Sequence, residues 1–293
     1  MMIAARRLFK DVSDLPTIPA VVSKVVSQLE NKLADPDEIA DLILSDLVLA
    51  ARVIRVVNSP LYHRKDQITS VKRALMLIGF KSVREMILTS YFVEGLKDKA
   101  QPFDMKMFWL HSFTVGAISR RIARIVNYPD IEKAYLVGIL HDIGKVFLGH
   151  YCKDEYGRML TGIRNTSITT HEAEYKYFGT THSEVGLCLA QRWNFPAEYS
   201  DVISCHHSSE MAIADPLLTA IISLADFYNM SHVTADCVAQ ASIPGHSEEN
   251  AWQTLTKLGI PLPSSLEHFL SDLDEVYETI SGEADLLFDT MTA

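Results

Sequence analysis

Five histidines and two aspartates follow one another through the middle of this chain: His111, His141, Asp142, His182, His206, His207 and Asp226. A sixth histidine, His171 or His150, stays open as an addition to the set. The tightest piece is the run Leu136–Leu148, in which His141 and Asp142 stand among leucine, isoleucine, valine and glycine. A His-Asp pair is costly to bury in such a segment unless something compensates it, and a metal ion compensates it well. Imidazole and carboxylate ligands suit a divalent transition metal, with iron or manganese expected ahead of zinc, cobalt or nickel. Two such ions about 3.5–4 Å apart can activate a bridging water and polarise a phosphoryl group.

On a continuous helix His141 and Asp142 stand about 100° apart and can face one cavity. Lys145 then lies about one turn, ~6 Å, further along the same face. There it can steady the carboxylate or meet an anionic substrate oxygen. Gly138 and Gly144 allow a neighbouring helix or ligand to approach closely, and Gly144 is also a candidate helix end.

The elements that must carry these residues read as helices. Pro19 opens residues 20–29, and Asp35-Pro36-Asp37-Glu38 joins an N-cap, a proline at the first helical position and a glutamate three residues after the cap. A helix over 47–57 ends at Asn58-Ser59-Pro60; Thr69-Ser70 caps one over 71–78, which Gly79 closes; another covers 81–96. Residues 97–102 form the candidate boundary. Beyond it the pattern predicts helices over 105–126 with His111, from Pro129 through His141-Asp142, over 182–193, over 197–207 and over 216–230 with Asp226. Residues 162–181 read as loop plus a short helix, and 248–258 and 266–288 as two acidic helices. No stretch alternates polar and apolar residues long enough for a sheet. The expected fold is all-α, with an N-terminal lobe over 8–100, a lobe with the candidate site over 101–232, and extra helices over 245–293. Separate helices can bring the candidate ligands to one core.

Composition narrows the classes. The chain has 293 residues, 48% of them hydrophobic and 22% charged, and a net charge of −10. No apolar run approaches the ~20 residues a membrane span needs, and the first residues lack the apolar core of a signal peptide. Cys152, Cys188, Cys205 and Cys237 are widely spaced and read as free thiols in a reducing compartment, so a cytoplasmic protein is expected. The acidic balance argues against general nucleic-acid binding. It is uneven, however: eight basic residues face one acid between Arg52 and Arg84, and ten acids face one base from Ser247 to Ala293. Both read as solvated helix faces, and a nucleic-acid surface over 52–84 would show itself by affinity falling steeply with salt.

His141-Asp142-Ile143-Gly144-Lys145, with histidines on either side and a later aspartate, resembles the HD superfamily of metal-dependent phosphohydrolases. Leu15-Pro16-Thr17-Ile18-Pro19, Asp46, Arg52–Pro60, Ala74–Gly79, His182-Ser183-Glu184-Val185-Gly186 and Trp193-Asn194-Phe195-Pro196 resemble the HDOD (HD-related output) domain, over approximately residues 8 to 232. The resemblance implies an all-helical fold, a bacterial signalling context and a protein partner. By similarity to HD-GYP phosphodiesterases it places metal ligands at His111, His141, Asp142, His182, His206, His207 and Asp226, with Lys145 matching a lysine of that family. One departure stands out: Ser208-Ser209-Glu210-Met211 follows the double histidine, with no Gly-Tyr-Pro motif. Two readings follow. One is a signalling module that retains the metal, without a separate organic cofactor. The other is a phosphohydrolase acting on a nucleotide or similar phosphoester, with Asp142, Lys145 and His206 or His207 as the groups that serve the reaction.

Overall fold

The computed structural model describes residues 20–30, 34–58, 68–97, 101–232 except 165, 167 and 194, and 247–292 except 264. Leu15–Pro19, Ser59-Pro60, Arg64, Lys65, Asp66, Asn194 and Cys237 therefore lie outside the described residues. Among the described residues there is no strand, and the fold is all-α as the patterning predicts. The helices are α1 (Ala20–Glu30), α2 (Pro36–Leu44), α3 (Leu47–Val57), α4 (Val71–Lys97), α5 (Met105–Ile125), α6 (Ile131–Leu140) and α7 (Ile143–Tyr151). They continue as α8 (Lys153–Ile163), α9 (Thr170–Phe178), α10 (His182–Arg192), α11 (Ala197–Cys205), α12 (Pro216–His232), α13 (Ser247–Lys257) and α14 (Leu266–Thr292). None of them is long and apolar enough to cross a membrane.

Two compact units divide the chain. Of the described residues, one takes 20–97 and 281–292, the other 101–280, so the division falls within α14. In the first unit α1, α2 and α3 pack on α4. Val25, Ile43, Val57, Ala74 and Val83 form its buried centre. Asp35 starts α2 as expected, its carboxylate accepting the Asp37 N–H at 2.9 Å with Pro36 at the first helical position. The Asn58 amide pins the end of α3: it donates to the carbonyls of Ile54 (2.8 Å) and Ile68 (2.7 Å) and accepts the Ile68 N–H (2.7 Å). Gly79, at φ +82°, breaks α4 where the sequence placed a helix end, leaving a kink with helix on both sides. Within the basic stretch, Lys72 pairs with Asp37 at 2.5 Å.

The second unit is organised by caps and close helix contacts. Asp104, Asp130, Thr169 and Thr181 each accept a backbone N–H from the first turn of α5, α6, α9 and α10. Thr169 and Glu172 complete a reciprocal capping box, which turns part of a segment that reads as mostly loop into a nine-residue helix. α12 packs on α5, α6 and α11, and α10 packs on both α7 and α11. α5 and α6 come into close contact at paired glycines: a Cβ on Gly138 would lie 2.8 Å from the Gly116 Cα and 3.0 Å from Ser119 Oγ. That contact sets the helix carrying His111 against the helix that ends at His141. Gly138→Ala is expected to overpack this crossing and cost about 1–3 kcal/mol, read as a lower thermal midpoint. An unchanged midpoint would show that the two helices can part freely.

Candidate metal centre

The structure brings all seven candidate residues together. His111 comes from the middle of α5, His182 from the first position of α10, His206-His207 from just past α11 and Asp226 from α12. The expectation of one helix running through His141-Asp142 is corrected. α6 ends at Leu140, α7 starts at Ile143, and the pair forms the corner between them, with Asp142 at φ −99° and ψ 11°. Two contacts hold this corner. His141 Nδ1 donates to the Gly138 carbonyl at 2.6 Å, and a Cβ on Gly144 would run into the His182 carbonyl, which presses the start of α7 onto the start of α10. Gly144 is thus a close-approach position rather than a helix end.

Asp142 lies between two sets of rings. Its Oδ2 is 3.6 Å from His111 Nε2 and 3.4 Å from His141 Nε2, and both rings also face Asp226 Oδ1 (3.3 and 3.6 Å). Its Oδ1 is 3.3 Å from His182 Nε2 and 3.6 Å from His206 Nε2. His207 Nε2 lies 3.0 Å from His182 Nε2. Ligand atoms of Asp142, His182, His206 and His207 fall within 4.8 Å of one another, as do those of His111, His141 and Asp226. His171 stacks edge-on beside His207 and His182 (ring centroids 4.9 and 5.5 Å) but belongs to neither set, and His150 packs on Tyr151 instead. His111, His141, Asp142, His182 and His206 are buried, and Lys145 (21% exposed), Asp226 (13%) and His207 are partly open.

Electrostatics favours the ionisation states a cation needs at both carboxylates and at His182 and His207, whereas His111 must give up a proton to bind one. Burial alone would raise the Asp142 carboxyl, but Lys145, His141 and His111 outweigh it and hold the group well below the usual carboxylate range. His111 and His141 do the same for Asp226. Burial, reinforced by neighbouring cationic groups, pushes His182 and His207 well down, so both stay neutral. Burial would also lower His111, yet its two carboxylates lift it to about 9. Lys145, whose Nζ donates to Asp142 Oδ2 at 2.5 Å, is raised against its burial by Asp142 and Asp226. Three atoms aimed into the cluster, His111 Nε2, His141 Nε2 and Asp142 Oδ1, are buried without a hydrogen-bond partner. Buried polar atoms rarely go unpaired, and a nitrogen- and oxygen-bound divalent cation would satisfy all three. The residues fit such a cation.

Two supporting residues escape sequence reading. Glu174 of α9 is fully buried; its Oε2 accepts from both the backbone N–H (2.7 Å) and Nδ1 (2.6 Å) of His182, and its Oε1 accepts from the Tyr156 hydroxyl (2.6 Å). Burial lifts its carboxyl to about 7. Asn229, one turn after Asp226, lies 2.8 Å from His111 Nδ1. The signal for Asn229 is a lone amide inside an apolar helix, three residues from a candidate ligand. Glu174 had only its spacing of three from His171.

The profile of the HDOD domain family matches residues 15–209, well over half of the sequence. The chain belongs to the HDOD family. A solved HDOD domain protein of unknown function from Geobacter sulfurreducens is 30% identical, with a TM-score of 0.84 over 98% of this chain and 97% of that one. A Shewanella amazonensis structure, provisionally named a phosphohydrolase, shares the fold at 20% identity and a TM-score of 0.74 over 97% of each chain. An uncharacterised protein of Treponema pallidum (strain Nichols) is 25% identical over 224 residues, which are 75% of this chain but 42% of that protein. The chain therefore spans less than half the length of this relative.

In this HDOD protein Asp226 and Asn229 lie beyond the matched segment, joined to it by the loop after His207. Asp201 holds that loop: its Oδ2 accepts the backbone N–H groups of Ile213 (2.7 Å), Ala214 and Asp215 (3.1 Å). Asp215 then caps α12, accepting the Leu218 N–H at 2.9 Å. Asp201→Ala is expected to lose charge-assisted bonds worth about 1.5–3 kcal/mol in total stability, measured by thermal unfolding. No change in the midpoint would mean that water replaces the carboxylate at no cost.

Proposed function

We propose that this HDOD protein is a bacterial signalling module that works in the cytoplasm through a protein partner. Its second unit would hold a dinuclear centre of divalent transition metal, iron or manganese ahead of zinc, cobalt or nickel. The observation that carries the reading is Asp142: its two oxygens face two separate ligand sets, and buried, unpartnered atoms occur in both. One cation per set, with Asp142 between them, would use every candidate ligand. The family membership and the Ser208–Met211 turn in place of a Gly-Tyr-Pro element support regulation over a dedicated phosphodiesterase.

A second reading, phosphohydrolase activity on a nucleotide or similar phosphoester, draws support from Lys145 at the open edge. When bound, such ions supply Lewis acidity for a phosphoryl oxygen and lower the pKa of water. Lys145, anchored by one N–H to Asp142, keeps further N–H groups to offer an anionic oxygen entering past Asp226. Asp142 orients that ammonium, and His206 or His207 would serve the reaction on the other side of the carboxylate by holding the cation against which charge develops.

Elemental mass spectrometry on protein purified without added metal or a histidine-rich tag should find about two transition-metal ions per chain, lost in His141→Ala. Protein that takes up no metal, even after anaerobic reconstitution with Fe²⁺ or Mn²⁺, overturns the centre. A phosphoester panel with Mn²⁺, run beside Asp142→Ala, separates the two readings. Turnover that vanishes in the variant supports the enzyme, and equal background in both removes it.

A further inference from the structure

Four histidines of the cluster have a defined partner for Nδ1, and three of these partners are acceptors. His141 faces the Gly138 carbonyl, His206 faces the Val202 and Ile203 carbonyls (3.2 Å each), and His182 faces Glu174. Carbonyls and carboxylates only accept, so each of these rings carries its hydrogen on Nδ1 and turns a bare Nε2 into the cluster. His111 differs. Its Nδ1 lies 2.8 Å from Asn229 Nδ2, a group that only donates. Paired that way, a neutral His111 holds its hydrogen on Nε2, aimed at Asp226 Oδ1 and Asp142 Oδ2. Such a ring has no lone pair to give a metal.

The other end of the same amide resolves the conflict. Asn229 is 1% exposed, and its Oδ1 accepts from the Tyr277 hydroxyl of α14 at 3.0 Å. A half-turn of the amide exchanges oxygen and nitrogen with almost no change in shape. It sets Oδ1 against an Nδ1–H of His111 and Nδ2 against Tyr277 Oη, which can accept as readily as donate. Tyr277 is held in place for this: its ring packs on Tyr228 and His232 (centroids 5.7 and 4.4 Å), and Asp274, one turn earlier on α14, accepts from the Tyr228 hydroxyl at 2.5 Å.

We infer that Asn229 and Tyr277 are positioning residues of the metal centre. The Asn229 carbonyl fixes His111 with its hydrogen on Nδ1 and its Nε2 bare, and the Tyr277 hydroxyl completes that orientation by accepting from the amide nitrogen. The inference rests on the metal-centre reading above, and it recruits α14, which lies wholly beyond the segment that the family profile matches.

The test is Zn²⁺ binding by competition with a chelator, together with long-range proton–nitrogen NMR of the Zn²⁺-loaded protein to read the His111 tautomer. Asn229→Leu should weaken Zn²⁺ binding about 10–100-fold. Asn229→Asp, whose carboxylate accepts from both neighbours, should stay near wild type. Tyr277→Phe, at a half-buried position and with circular dichroism unchanged, should lose affinity by less than the leucine variant, and it decides the matter if that variant fails to fold. His111 in loaded wild-type protein should carry its proton on Nδ1. Equal losses in the leucine and aspartate variants, wild-type affinity in all three variants, or a His111 proton on Nε2 in the loaded protein would each overturn the inference while leaving the centre standing. Wild-type protein that binds no Zn²⁺ would overturn the centre and the inference with it.

Discussion

A single carboxylate, Asp142, sets the terms for the second unit. At 1% exposure it is out of water, where an unpaired charge costs several kcal/mol. Burial pulls toward the neutral acid; Lys145 and the surrounding imidazoles win, and the group stays ionised. That outcome requires cationic or polar neighbours on both sides of one small group, which no single helix can supply. The corner between α6 and α7, the glycine approach to His182 and the crossing of α5 over α6 all serve this requirement. Remove the charge at Asp142 and the His182 and His206 rings lose the carboxylate they face, while His111 and His141 keep only Asp226.

Helix ends make the aiming inexpensive. The last carbonyls of a helix and the first N–H groups have no partner within it. His141 and His206, each at the C-terminal cap of its helix, return their Nδ1–H groups to carbonyls three or four residues back. Each ring is thereby oriented by the end of its own helix. His182 opens α10, and its otherwise unpaired N–H goes to Glu174 along with its ring. His111 stands in mid-helix, where neighbouring carbonyls are already engaged, so its support must come from another element. An amide on α12 stands beside it, with a phenol on α14 behind that amide.

The same physics explains what the sequence discloses. Histidines and aspartates inside apolar runs are conspicuous because burial penalises them, so His141-Asp142 stands out by type and context, while His111, His182, His206, His207 and Asp226 gain weight only as a joint pattern and through the family resemblance. Caps are local chemistry, and Asp35-Pro36 is read correctly without any tertiary information. The corner at His141-Asp142 is not legible, since apolar residues flank the pair on both sides and the glycines, Gly138 and Gly144, stand before and after the corner rather than at it. What ends α6 there is the His141 side chain returning to the Gly138 carbonyl and a neighbour's backbone pressing on Gly144. Glu174 sits among lysine, tyrosine and other glutamates in a polar segment, where composition gives it the look of a solvated residue. Only the packing of α9 against α8, which brings Tyr156 to it, distinguishes it.

The family-matched segment ends at residue 209, yet the cluster of candidate ligands does not. Six of the seven candidate ligands precede that point, and Asp226 follows it. Ser223, also on α12, donates to the His206 carbonyl at 2.6 Å and so fixes the backbone beneath the double histidine. Leu218, Ile221, Ile222 and Leu224 of the same helix are completely buried against the second unit. Without α12, His111 and His141 would keep Asp142 but lose their second carboxylate, and the apolar faces of α5 and α6 would meet water. At about 1.5–3 kcal/mol for each large apolar side chain exposed, that loss is comparable with the whole stability of a typical domain. The matched residues carry most of the candidate ligands, but the helix after them closes the core that makes ligation geometrically feasible.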